Sequence, residues 1–192
     1  MNKQLDYLML INEDHAMPEN FETIVDLIPV VNAIGEQFQI DPKTYEAFLR
    51  LREDVLKNDG IQAELISVYR TYEYQANSFA RYLRDFGPEY ANTSVAKPGP
   101  SEHHTGFAID VGILLDGKLY RSIEELLSID HLFQPIQAKF PKYGFILRYP
   151  RGKEAITKIG YEPWHFRYLD SPEIAQEITA KGICFEEYKR TP

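Results

Sequence analysis

Apolar positions along this chain change period several times, and each change marks an element. From Asp41 onward, Tyr45, Phe48, Leu49, Val55 and Leu56 fall largely on one face of a 3.6-residue repeat. Asp41-Pro42 predicts where that helix begins: a carboxylate N-cap, then proline at the first helical position, where no N–H is needed. Gly60 predicts its end. Ala63 to Tyr69 alternates and is rich in β-formers, so it reads as a strand with Arg70 at its end. Tyr72, Gln75, Ala76, Phe79, Ala80 and Leu83 return to helical spacing, ending near Gly87-Pro88. Residues 87–100 then read as a loop closed by Pro98-Gly-Pro100. Phe107 to Ile113 is a strand. Ser122 with Glu125 forms a capping box for a short helix, and residues 130–140 form a second helical piece with Pro135 as a potential break. Strands follow over Tyr143–Tyr149 and within Lys158–Tyr168, and Ser171-Pro172 opens a last helix that stops at Gly182. At the start, Tyr7 to Ile11 predicts a short strand, Asn12 to Phe21 a loop, and Ile24 to Val31, interrupted by Pro29, irregular extended chain. Helices at both ends with strands between them predict an α+β fold: one domain over 1–192, with a central, largely antiparallel sheet flanked by helices. Residues 1–40 form an N-terminal extended segment and 171–192 a C-terminal helix and tail.

Composition narrows the function. The 192 residues are 44% hydrophobic and 26% charged, enough for one domain with its own core. A net charge of −8 argues against a nucleic-acid partner, which would need clustered Lys and Arg. The single cysteine, Cys184, excludes an intramolecular disulfide and a thiolate metal cluster; it reads as a small buried residue. No apolar run approaches a membrane span. Leu8 to Ile11 is too short for a signal core, so the chain reads as cytoplasmic as given, or as secreted or wall-associated if a leader has been trimmed.

Two stretches carry the chemistry. In Ser101-Glu-His-His-Thr-Gly-Phe-Ala-Ile-Asp110, Asp110 lies inside an apolar strand and must be paired, hydrogen-bonded or metal-bound. An ion pair with Arg70 or Arg148 satisfies that demand as well as a metal does. His103 and His104 point to opposite sides on extended chain, so only one faces a site, and Glu102 and His104 face solvent or the loop. Glu162-Pro-Trp-His165 adds a second imidazole and a carboxylate; Pro163 distorts the strand end so that residues three apart can share a cavity. His103, Asp110 and His165 make a three-ligand zinc set with a fourth position open, and Glu162 is left free as a base.

The motif Ser101-x-His103-x-x-Gly106-x-Ala108-x-Asp110 resembles the S-x-H-x-x-G-x-A-x-D signature of the VanY- and VanX-like zinc D-alanyl-D-alanine peptidases. Glu162-x-Trp164-His165 resembles their E-x-W-H. Ser67-Val-Tyr-Arg70 with Gln75, Ala96 to Gly99 and Tyr143 to Pro150 are similar to further family segments, and the likeness runs from about Tyr7 to Tyr168. It implies one Zn²⁺ per chain on His103, Asp110 and His165, with Glu162 as catalytic base. Arg70 would stabilise the oxyanion or bind substrate. Gln75 and Ser101 would join it in holding a terminal carboxylate, and Tyr69 and Trp164 would pack against the peptide or behind the site. The implied substrate is a peptidoglycan stem peptide or D-Ala-D-Ala, with release of D-alanine. Action on tetrapeptide stems as an L,D-carboxypeptidase, or a zinc-containing binding module without activity, are the alternatives. Val68 stands where the family has glycine. The long interval from Gly112 to Tyr143 is more similar to the bifunctional VanX/VanY-type enzymes and would shape one side of the cleft. Oligomeric state is not legible.

Overall fold

The structure is a computed structural model that describes residues 6–18 and 20–190. The outer ends of the expected N-terminal segment and C-terminal tail lie outside these residues.

The frame is an antiparallel sheet built on β4, Ala108–Leu115. On one side β4 pairs with β3, Gln62–Ser67. On the other, its first half pairs with β7, His165–Tyr168, and its second half with β5, Lys118–Tyr120. β6, Phe145–Leu147, completes the order β3-β4-β7-β6. Alternation along the strands gives the sheet two faces. Ile109, Val111, Ile113, Phe166 and Phe145 enter the main core beneath α1, Pro42–Asp59, and α4, Asp130–Lys139. Asp110, His165 and Arg167 take the opposite face.

α1 begins and ends as its sequence dictates. Asp41 accepts from the Thr44 N–H at 2.8 Å, Pro42 follows, and Gly60 closes the helix at φ 69°. The Ser122/Glu125 capping box starts α3, Ile123–Ser128. α4 runs through Pro135 without a break. α5, Glu154–Thr157, is a single turn, and α6, Pro172–Lys181, ends at Gly182.

Four expectations are corrected. Tyr7 to Ile11 forms no strand: buried arginines take its carbonyls, with Arg167 donating to Tyr7 O at 3.0 Å and Met9 O at 2.8 Å. Of Ile24 to Val31, expected as irregular chain, Ile28–Val31 is β1, which forms a separate hairpin with β2 Gln37–Ile40; Pro29 is tolerated because that two-stranded ribbon has free edges. α2, Tyr72–Ser94, passes through a kink at Gly87 (φ 83°) and resumes at Pro88, so part of the expected loop is helical. After α6 the chain adds α7, Phe185–Arg190.

One irregularity positions the site. The β3–β4 register shifts between Leu65 and Ser67, a bulge at Ile66 that sets Ser67 opposite Asp110. Gly112 accommodates it, since a Cβ there would lie 2.6 Å from Ile66 Cγ2 and 2.6 Å from the Tyr120 carbonyl oxygen. The carbonyl belongs to a paired strand and cannot retreat. Gly112→Ala is therefore expected to cost roughly 1–3 kcal/mol; chemical denaturation with both midpoint and slope recorded checks this, and an unchanged midpoint would remove the glycine's role.

Candidate metal centre

Asp110 faces His165 directly across the β4–β7 ladder, and His103 reaches them from a 3₁₀ turn, Glu102–Thr105, just ahead of β4. Gly106 ends that turn at φ 76°, and a Cβ on it would sit 2.6 Å from Leu27 Cδ2, so the motif glycine is required twice over. The three residues are buried, and their ligand atoms lie within 4.8 Å of one another. His103 donates from Nδ1 to the Val68 carbonyl at 2.5 Å, which turns Nε2 towards Asp110 Oδ2 at 3.3 Å. His165 Nδ1 lies 2.9 Å from Asp110 Oδ1, while its Nε2 is buried without a hydrogen-bond partner.

The set suits zinc: two imidazoles and a carboxylate, with a fourth position left to the cleft. Burial, then the Arg70 charge, pushes His103 down to about 4, which favours the neutral imidazole a metal would need. Burial opposes charge on His165, but the carboxylates of Asp110, hydrogen-bonded to Nδ1, and of Glu102, close to Nε2, outweigh it and raise the ring to about 9. Burial likewise opposes the Asp110 carboxylate, yet the two histidines hold it well below the usual range. A buried carboxylate between two imidazoles is a donor set that a bound cation would satisfy.

Glu162 occupies the turn before β7, where the His165 N–H donates to the Glu162 carbonyl. Its carboxylate stands 3.6 Å from His165 Nδ1. Burial pushes it up to about 7, partly offset by His165. Arg70 is fixed on three sides. It donates to Ser67 Oγ at 2.9 Å, to Gln75 Oε1 at 3.3 Å and to Asp110 Oδ2 at 2.7 Å. The arginine that pairs with Asp110 is Arg70, and the same carboxylate lies between His103 and His165. Arg148 is not its partner.

These groups line a cleft of about 360 Å³ together with Ser101, Gln75 and Trp164. Arg121, Ile123 and Leu126 form part of the wall, which places the segment after Gly112 beside the site. Tyr69 is absent from that lining; it borders an adjoining open cavity and packs near Ile11, Met17 and Phe21. Val68 turns its side chain into the core and contributes only its carbonyl to the site.

Sequence reasoning missed the layer behind the ligands. Glu102 and His104 are both buried, not solvent-facing. His104 donates to Arg70 O at 2.7 Å, accepts from the Gly99 N–H at 3.1 Å and packs, tilted, against the Phe21 ring. Glu102 Oε1 takes Arg148 Nε at 2.8 Å and Arg167 Nη1 at 3.0 Å. Two arginines inside apolar strands, at Phe145-Ile-Leu-Arg148 and Phe166-Arg167, were the signal for a buried partner.

Fold and site together define a zinc metallopeptidase. A family model for VanY, D-alanyl-D-alanine carboxypeptidase, matches residues 37–171. The chain is 35% identical to VanXYC of Enterococcus gallinarum, a bifunctional D-Ala-D-Ala dipeptidase and carboxypeptidase, over 96% of this chain and 94% of that protein. It superposes on the vancomycin-resistance D,D-pentapeptidase VanY in complex with Zn(II) at 30% identity and a TM-score of 0.79, covering 96% of this chain and 99% of that one. The LD-carboxypeptidase LdcB gives 34% identity and a TM-score of 0.80, covering 95% and 85%. The chain spans 66% of the length of some other curated relatives. It belongs to the VanY family of D-alanyl-D-alanine carboxypeptidases.

Proposed function

We propose that this chain is a zinc D,D-carboxypeptidase that releases the C-terminal D-alanine of peptidoglycan stem peptides, with hydrolysis of D-Ala-D-Ala as a further activity. The observation that carries the reading is the convergence of His103, Asp110 and His165 in one cleft with Glu162 beside them. His103 Nε2, Asp110 and His165 Nδ1 would hold the ion. When bound, it supplies Lewis-acid chemistry, acidifying water and polarising a carbonyl.

The chain's own groups do the rest. Glu162 takes a proton from the attacking water onto its carboxylate and delivers it to the departing amine of D-alanine. Arg70, held by Ser67 and Gln75, presents N–H donors to the developing oxyanion or to the substrate's terminal carboxylate. Ser101 and Gln75, on the same wall, add hydrogen bonds to that carboxylate. Trp164 backs the site.

A second reading, L,D-carboxypeptidase action on tetrapeptide stems, is favoured by the equal likeness to LdcB. The deciding measurement is D-alanine release by zinc-loaded protein from a stem pentapeptide, a stem tetrapeptide and free D-Ala-D-Ala. Release from the pentapeptide is expected to dominate. Release from the tetrapeptide alone selects the second reading, and silence on all three with one zinc per chain leaves the binding module. Among the described residues no helix is long and apolar enough to cross a membrane. Fractionation of cells for the D-alanine-releasing activity tests whether soluble precursors or the assembled wall are the substrate pool.

A further inference from the structure

Two buried polar atoms in this fold lack a hydrogen-bond partner among the described residues, and they face each other: Glu102 Oε2 and His165 Nε2, 3.7 Å apart. Such orphaned pairs are costly and call for a reason. Glu102 spends only one oxygen on its arginines, since Arg148 and Arg167 both donate to Oε1. Arg148 does not take the second oxygen: its two terminal nitrogens turn instead to Glu186 of α7, at 2.9 and 2.7 Å, and to the Ile11 carbonyl at 3.4 Å. Oε2 is thereby kept free and aimed at the imidazole.

The state of His165 supplies the reason. With Nδ1 given to an ion, a neutral ring carries its one proton on Nε2. Glu102 Oε2 faces that proton, at a separation a small ring rotation closes. Tyr149 packs against the ring, tilted at a centroid distance of 4.9 Å.

We propose that Glu102 is a positioning residue that holds the Nε2–H of His165, fixing the tautomer that offers Nδ1 to the metal, with Arg148, Arg167 and Glu186 clamping Glu102 in turn. Carboxylate–histidine–metal relays of this kind contribute roughly 10- to 100-fold in metal affinity. The proposal rests on the metal reading above, and a wild-type protein that binds no zinc overturns that reading, not the relay specifically.

The test is Glu102→Gln. An amide in that pocket gives its oxygen to the arginines and turns its NH₂ towards Nε2, which favours the wrong tautomer. Zinc affinity, read by competition with a chromophoric chelator, is expected to fall 10- to 100-fold in folded protein. A merely structural glutamate would lower the thermal midpoint of the metal-free protein and leave the competition curve in place; affinity within twofold of wild type overturns the proposal. Should Glu102→Gln fail to fold, long-range ¹H–¹⁵N spectra of the zinc-loaded wild type decide. A slowly exchanging Nε2–H on His165, with Nδ1 at the metal, supports the relay. A ring bound through Nε2, or an Nε2–H in fast exchange with solvent, overturns it.

Discussion

Replacing Glu162 by Gln is expected to abolish D-alanine release and, at the same time, to stabilise the metal-free protein. The first effect follows from geometry: the carboxylate faces the ligand cluster from 3.6 Å and sits in the cleft. A positioned general base contributes roughly 10²- to 10⁴-fold, and Gln keeps the shape without the proton acceptor. Zinc content should stay at one per chain, because Glu162 is not needed as a ligand. The second effect follows from linkage. Burial raises Glu162 from its ordinary 4.5 to about 7, so the folded state holds a proton that the unfolded state releases. Stability from this group is complete below about pH 4.5 and is lost as pH rises through 7. At pH 8 the loss is on the order of 1–3 kcal/mol. Gln removes it, so the variant and wild type should converge in stability near pH 4.5 and separate towards pH 8. For turnover the sign is opposite: the base must be ionised, so kcat/KM falls as pH drops through the Glu162 pKa. A bound cation stabilises the carboxylate and moves that limb below 7. Retained hydrolysis in Glu162→Gln sinks the assignment. A stability difference independent of pH would leave the base in place and refute its raised pKa.

Arg148→Met is expected to produce the largest loss of stability from one side chain. Arg148 is fully buried and joins three distant parts of the chain: the Glu102 turn, the Ile11 carbonyl near the N-terminus, and Glu186 on α7. Removing it leaves the Glu186 carboxylate in the interior with the Asn12 amide, at 3.4 Å, beside it. Breaking a buried pair in this way costs roughly 3–5 kcal/mol. In a domain of this size that lowers the thermal midpoint by about 10 °C or more. Arg148→Met combined with Glu186→Leu should recover much of the loss, because the penalty lies in the stranded charge more than in the missing bond. A single variant within about 1 kcal/mol of wild type would show that water reaches this cluster.

The opposite signs of these two effects describe one construction. Charges behind the ligands are matched and rigid, whereas the carboxylate in front of them is held above its ordinary pKa. A site with one destabilised working group on a charge-matched base is what catalysis at neutral pH requires.

The sequence by itself determined the elements whose causes are local. α1 carries its own cap, proline and terminal glycine within one stretch, and the Ser122/Glu125 box does the same for α3. It also pointed to the cluster of His103, Asp110 and His165, because a carboxylate in the apolar run Phe107 to Ile113 and a histidine behind Pro163 are anomalies, and the motifs that hold them resemble those of one family. Tertiary structure alone decided what depends on residues far apart. Whether Tyr7 to Ile11 pairs as a strand turned on arginines more than a hundred positions away, which took its carbonyls. Whether Glu102 faced water or His165 turned on where Arg148, Arg167 and Glu186 converge. And the bulge at Ile66, which sets Ser67 beside Asp110, exists only in the pairing of β3 with β4. Periodicity reports which side of an element is buried; it is silent on which buried charge meets which, because that is fixed by the packing of elements the chain brings together only on folding.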